Sequence, residues 1–155
     1  MELSDILAKE SVVACAKIAS KRQLLQKLAE KAAEISGAKA SDIFEILMNR
    51  EKLGSTGLGN GIAIPHGKLP NLSGVTAVFA RLDHAIEFEA VDDQPVDLVM
   101  LLLAPEGSGA DHLKALARVA RLLRTESIVT QLRESRDPAH MFDVLTRPVE
   151  SHAAA

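Results

Sequence analysis

The chain has 155 residues, 47% of them apolar and 25% charged, the proportions of an ordinary globular protein that buries enough surface to need no staple. Its 18 Lys and Arg against 21 Asp and Glu leave a net charge of −3, and only 3% of residues are aromatic, so it lacks both the basic field and the stacking rings that nucleic acid requires. The longest unbroken apolar stretch covers residues 98–104, far below the ~20 residues of a bilayer span, and the opening MELSDILAKE has no basic segment followed by an apolar run, so neither membrane insertion nor secretion is expected and the expected location is the cytoplasm.

In chain order, residues 5–9 suggest a brief helix and ESVVACA at 10–16 a short strand, in which the lone Cys15 reads as a small core residue. Ser20 followed three residues later by Gln23 is a capping box. It opens a helix whose stripe is Leu24, Leu25, Leu28, Ala32 and Ile35 and which ends at Gly37. Ser41 or Asp42 can cap a second helix with Ile43, Phe44, Leu47 and Met48 turned inward, stopping before Gly54. Residues 54–68, GSTGLGNGIAIPHGK, read as a glycine-rich loop.

Residues 74–82 and 96–104 read as strands, the second so continuously apolar that it should lie at the centre of a sheet with both faces covered. IEFE at 86–89 alternates like a short, half-exposed strand. GSG at 107–109 leads into a helix over 111–123 with Leu113, Leu116, Ala117, Ala120 and Leu123 on one face; a helix over 125–133 follows, and Asp137 with Pro138 starts the last. The basic residues from Arg118 to Arg133 alternate with apolar ones at helical spacing, as on a solvated helix face. The pattern predicts an α/β sandwich in one domain over 1–148, with a disordered tail at 149–155.

The glycine-rich segment fails both nucleotide fingerprints. Gly61 and Gly67 enclose five residues where a Walker loop needs four, and Lys68 is followed by Leu69; Gly57-Leu58-Gly59 leads to Ile62 where a dinucleotide loop needs its third glycine. Ser55, Thr56 and the glycines beside them still offer hydroxyls and close backbone N–H groups to an anionic oxygen cluster, although a plain glycine loop fits the spacing equally well. Among the five histidines, His152 in the tail, His140 in the last helix and His84 in a turn-like Leu-Asp-His-Ala read as surface residues. His66, between Pro65 and Gly67, can be presented from a strand end into a glycine-lined site, and His112 opens a helix whose unpaired N–H groups favour an anion, although a buried or merely capping role fits it equally well.

Two such imidazoles suit phosphoryl transfer, one as a neutral nucleophile and the other steadying charge on the incoming oxygens, with Arg50 placed to pair with those oxygens or, equally, to complement its helix end. Two histidines without HExxH or a Cys/His set do not make a zinc site, and a hydrolase built on Ser55, His66 and Asp111 lacks the GxSxG elbow, so no metal is expected.

NREKLGSTGLGNGIAIPHGKL at 49–69, DDQPVDLVMLLLAPEG at 92–107 and DHLKALARVARLL at 111–123 resemble the enzyme IIA proteins of the bacterial phosphotransferase system, fructose/mannitol type, and most closely their nitrogen-regulatory branch. The resemblance implies a mixed β-sheet flanked by helices. It also implies that His66 accepts a phosphoryl group, through Nε2, from a phosphohistidine on an HPr-like carrier, with neither metal nor nucleotide nor other cofactor. His112 and Arg50 would stabilise that group, and Ser55, Thr56, Gly57 and Gly67 would line its loop. Leu58, Ile62, Ile64 and Leu69 are expected to contribute to an apolar rim that binds the carrier, with burial in the core the favoured alternative for Ile62 and Ile64. The implied role is regulation of partners such as transporters or kinases according to phosphorylation state; a sugar-delivering IIA that passes phosphate to a IIB domain, and a binding module that has kept only the fold, are the alternatives.

Overall fold

The longest apolar run sets the architecture. In the computed structural model, which describes residues 2–147, it forms β6 (Val96–Pro105), and every residue from Leu98 to Ala104 is buried, as a strand covered on both faces requires. The chain reaches it through a 3-10 turn (Leu3–Asp5), β1 (Leu7–Ala16), α1 (Lys21–Ser36), α2 (Ala40–Lys52), β2 (Gly57–Gly59), β3 (Ile62–Ala63), β4 (His66–Leu69) and β5 (Thr76–Ile86), and leaves it through α3 (Ala110–Leu122), α4 (Glu126–Glu134) and α5 (Pro138–Thr146). The sheet is mixed, in the order β1-β5-β6-β3-β2: β5 runs antiparallel to β6, β1 runs parallel to β5, and β3 and then β4 pair parallel with successive halves of β6.

Two apolar layers hold the helices on opposite faces. Leu24, Leu25 and Leu28 of α1 and Ile43 and Leu47 of α2 pack on Val78, Val99, Leu101 and Leu103, whereas Val119, Ile128, Leu132, Met141 and Val144 of the last three helices pack on Phe79, Leu98, Met100 and Leu102. Adjacent residues of β5 and β6 therefore serve opposite cores, the period-two consequence of the pleat. Helix ends follow local chemistry where the sequence offers it. The Gln23 N–H donates to Ser20 Oγ at 3.1 Å, α1 ends on Gly37 at φ 79°, and the Ala139 N–H donates to Asp137 Oδ1 at 3.0 Å behind Pro138.

Several expectations need correction. No helix covers 5–9, because β1 begins at Leu7 and pairs with β5, where the ladder supplies hydrogen bonds that an isolated five-residue helix would barely form. Lys39, not Ser41 or Asp42, precedes the first turn of α2, and no side chain caps it. The expected loop at 54–68 contains three short strands, since β3 and β4 find free edge groups on β6. Strand β5 runs on to Ile86, so His84 is an exposed strand residue rather than part of a turn, and 87–89 are not a strand. The buried face of α3 is His112, Ala115 and Val119; Leu113, placed on that face by spacing, is 66% exposed, because the first turn points inward at His112. Arg133 is not simply solvated: it pairs with Asp97 at 3.0 Å and donates to Asn60 O at 2.6 Å, tying α4 to the β2–β3 hairpin. The Cys15 side chain, His152 and the tail at 149–155 lie outside the described residues.

Candidate active site

Three elements deliver one residue each to the edge of β6. His66 opens β4 opposite Leu102, held by the Leu102 N–H donating to Pro65 O at 3.0 Å. Arg50 lies in the last turn of α2 and His112 in the first turn of α3. Gly67 decides how closely α2 can lie on β4: a Cβ there would sit 2.4 Å from Ile46 Cγ2. Ile46 is one helical turn before Arg50 on the same face, so the approach that a bare Gly67 permits is also the one that brings Arg50 to His66.

The Arg50 Nε–H donates to His66 Nε2 at 3.3 Å, and its Nη1 donates to Gly54 O at 2.8 Å. His66 Nδ1 lies 2.9 Å from Ile64 O. A carbonyl only accepts, so these contacts assign the proton to Nδ1 and leave the lone pair on Nε2. The His112 ring stands 5.6 Å from that of His66, tilted by 52°. It is buried, at 7% exposure, and its Nδ1 has no hydrogen-bond partner among the described residues. Burial holds its pKa below the ordinary imidazole value, and repulsion from His66, when that ring carries a second proton, and from Lys68 acts the same way, so the ring is neutral near pH 7.

The Ser-Thr-Gly segment is turned inward. The Thr56 N–H donates to Glu51 Oε1 at 3.1 Å and its hydroxyl to Glu51 Oε2, while Lys21 Nζ lies 3.0 Å from Glu51 Oε1 and 4.5 Å above the Phe88 ring. The Ser55 hydroxyl donates to Phe88 O at 2.9 Å and accepts from the Gly57 N–H at 3.1 Å. Gly57 itself abuts the 88–92 segment, where a Cβ would come within 2.7 Å of Ala90 Cβ. In this state both hydroxyls and the Thr56 and Gly57 N–H groups, expected to face a phosphoryl group, are spent on holding the loop. A Ser55-His66-Asp111 arrangement is not formed, because the Ser55 proton is directed at Phe88 O. The loop's far end is held by Asp92, whose carboxyl the Asn60 and Gln94 N–H groups keep below the usual carboxylate range.

The apolar rim also needs correction. Ile62, Ile64 and Leu69 are 5%, 3% and 3% exposed, the first two in the layer under α3–α5 and the third under α2, so only Leu58, at 40%, is available to a partner. Exposed large apolar residues adjoin the site residues in the chain at Leu53, just past Arg50, and Leu113, next to His112, whereas Leu58 lies in a groove with Leu123, Arg124 and Val129. Sequence reasoning missed Glu51 and Lys21, which read as ordinary helix-surface charges, and Lys68, which shares a strand face with His66 only once 66–69 is a strand. Among the described residues, no group of three or more His, Cys, Asp and Glu is gathered to hold a metal ion.

The family model for the phosphoenolpyruvate-dependent sugar phosphotransferase system, EIIA 2, matches residues 5–147. A "Nitrogen regulatory protein" of Bradyrhizobium diazoefficiens is 56% identical over 148 residues, covering 96% of this chain and 97% of that protein. A protein of the same name from Escherichia coli is 37% identical over 147 residues, covering 94% and 90%. The crystal structure of nitrogen regulatory protein IIA-Ntr from Neisseria meningitidis superposes with a TM-score of 0.88 at 34% identity, covering 93% of this chain and 99% of that one. Mannitol IIA from Escherichia coli shares the fold, with a TM-score of 0.75 at 21% identity over 89% of this chain and 97% of its own.

Proposed function

Because the chain belongs to the EIIA 2 family of the phosphotransferase system, among its nitrogen regulatory proteins, we propose that it accepts a phosphoryl group on His66 Nε2 from a phosphohistidine on an HPr-like carrier and regulates other proteins according to its phosphorylation state. The observation that carries this reading is the pair of contacts on one ring: Ile64 O holds the proton on Nδ1, and Nε2 presents its lone pair beside a guanidinium.

In the transfer, the donor's N–P bond breaks as the His66 Nε2–P bond forms, the donor ring regains its lone pair, and the His66 proton stays on Nδ1. Such a transfer asks for positioning and for charge stabilisation of the equatorial oxygens. Arg50 would move from Nε2 to those oxygens, and His112 would donate an N–H; the arriving negative charge raises its affinity for a second proton. Ser55, Thr56, Gly57 and Gly67 would set the loop and the helix approach. Leu53, Leu58 and Leu113 would form the carrier's landing surface. The working unit would be one domain over 1–148, acting in the cytoplasm, with partners such as transporters or kinases.

Intact mass after incubation with phosphoenolpyruvate, enzyme I and the carrier tests the reading. One acid-labile phosphoryl group, absent in His66→Ala, is expected. No uptake from a competent donor would leave a binding module instead. The chain is also 31% identical to a "PTS system fructose-specific EIIABC component" of Bacillus subtilis over 150 residues, 95% of this chain but 23% of that protein. This similarity keeps a sugar-delivering role as the second reading, and onward transfer to a IIB domain in the presence of sugar would establish it.

A further inference from the structure

The side of α3 away from His112 carries Lys114, Arg118 and Arg121, spaced four and three residues apart and so aligned along the helix. At ~100° per residue this row lies about half a turn from His112. With Arg147 it rims a cavity of about 400 Å³ between α3, α4, the end of α5 and the N-terminal turn, whose apolar floor presents Ala117 and Leu122 over the buried side chains of Leu3, Ile128 and Leu145. None of the lining residues belongs to the His66 site.

The charge of this cavity is opposite to that of the whole chain. Four cations face one lining carboxylate, Glu2, whereas the chain carries a net −3. Arg118 pairs with Glu2 at 2.9 Å and Arg147 with Asp143 at 3.0 Å, both solvent-exposed pairs that hold their partners weakly. Lys114 and Arg121 have no ionic partner among the described residues. The two hydroxyls in the wall are committed to backbone carbonyls, Thr125 to Arg121 O at 3.1 Å and Thr146 to Phe142 O at 2.7 Å. The free polar groups of the cavity are therefore cationic and sit at its mouth, while its floor is hydrocarbon.

A volume of this size falls in the range of small-molecule sites, which combine an apolar lining with a small number of polar groups that fix orientation. An inorganic anion would leave the floor wet, and a neutral apolar molecule would leave the cations unused. We propose that this cavity binds a small organic anion with an apolar body, its carboxylate or phosphate between Lys114 and Arg121 and its hydrocarbon against Ala117 and Leu122, over the buried Leu3, Ile128 and Leu145. The assignment is independent of phosphoryl transfer at His66.

The test is titration of the full chain, at about 0.15 M salt where long-range attraction is screened, with decanoate, decyl phosphate, inorganic phosphate and decyltrimethylammonium, followed by calorimetry and amide chemical shifts. Saturable binding of decanoate or decyl phosphate at one site is expected, moving the signals of Leu122, Ile128 and Leu145 and weakening at least tenfold in Lys114→Glu/Arg121→Glu. Both substituted residues are exposed, so an unchanged thermal transition should accompany that loss. Equal binding of decyltrimethylammonium, affinity retained in the double variant, shifts confined to the Leu53 and Leu58 surface, or no saturation by either decyl anion would each overturn the assignment. So would saturation by inorganic phosphate as tight as by decyl phosphate.

Discussion

Glu51 offers the sharpest test of how the site is held. Its side chain is 5% exposed and accepts two hydrogen bonds from Thr56 while pairing with Lys21 at 3.0 Å. Glu51→Ala would strand the Lys21 ammonium and both Thr56 donors. Breaking a buried pair from one side typically costs ~3–5 kcal/mol. Lys21, however, is 17% exposed and has Glu89 within 3.8 Å as a substitute, which places the expected loss near the lower end, about 3 kcal/mol. For a chain of this length that corresponds to a fall in Tm of roughly 6–12 °C. Glu51→Gln keeps an acceptor for the Thr56 N–H and gives up only the charge, so its loss should be about 1–2 kcal/mol. Urea unfolding followed by circular dichroism reads both values. In Lys21→Ala/Glu51→Ala the losses should sum to less than those of the single variants, because the second removal strands nothing further. A loss below about 1 kcal/mol for Glu51→Ala at unchanged m-value, or a Gln variant less stable than the Ala variant, would refute the assignment of Glu51 as the anchor of this loop.

Removing the guanidinium in Arg50→Gln should slow phosphoryl uptake about 10²–10³-fold, as loss of one preorganised donor to a developing charge does, with the thermal transition little changed; rapid-quench phosphorylation measures it, and uptake within tenfold of the parent would exclude Arg50 from the transfer. Gly67→Ala should destabilise by about 1–3 kcal/mol through its 2.4 Å clash with Ile46, and Ile46→Ala in the same chain should recover part of that loss in urea titrations. Leu58→Glu and Leu113→Glu should each slow uptake from the carrier without altering Tm, since both side chains are solvent-exposed; an unchanged transfer rate would remove them from the landing surface. Because burial depresses the His112 pKa, the unfolded chain takes up that proton first as pH falls, so stability should decline as pH drops below about 6.5 towards the folded pKa. In His112→Gln that part of the decline should vanish, and an identical pH profile for the two proteins would refute the cause.

The elements that the sequence predicted well are those whose apolar period settles them alone. The stripe of α1 as far as Ala32, with Ile35 left exposed at its end, the continuous run of β6 and the Asp137-Pro138 start of α5 each carry a local pattern that tertiary contacts only reinforce. The glycine-rich segment is the opposite case. Its three strands are two to four residues long and exist because the edge of β6 has unpaired groups, which no window of 54–69 reveals. Leu113 illustrates a third limit: helical spacing fixes which residues share a face but not which face turns inward, and the burial of His112 inverted that choice. Arg50, His66 and His112 could be singled out by residue type and neighbours, but the approach of Arg50 to His66 depends on Gly67 admitting Ile46, a contact between residues 21 positions apart. Glu51 was illegible for the same reason, since nothing in a helix's last turn distinguishes a solvated carboxylate from one folded under the next loop.

These contacts also explain why phosphorylation could be read at a distance from His66. In the structure, Arg50 is shared between His66 Nε2 and the Gly54 carbonyl just past the C-terminal end of α2, and the neighbouring residue of the same turn, Glu51, holds the Thr56 backbone. On the proposed reading, the unphosphorylated site holds two cations, the Arg50 guanidinium and the nearby Lys68, beside two rings, the buried one kept neutral. A phosphoryl group brings about −1.5 to −2 charges at neutral pH, more than the partial negative charge of a helix C-terminus, so on the proposed reading it would draw the guanidinium away from Gly54. Leu53 lies between Arg50 and Gly54, and Leu58 follows the segment that Glu51 anchors. Any weakening of the Arg50 bond therefore acts first on the chain that carries the exposed apolar residues. A partner docked there would feel both the added charge and the altered backbone, whereas the Glu51 carboxylate, bonded to Thr56 and Lys21, would keep the rest of the loop in place.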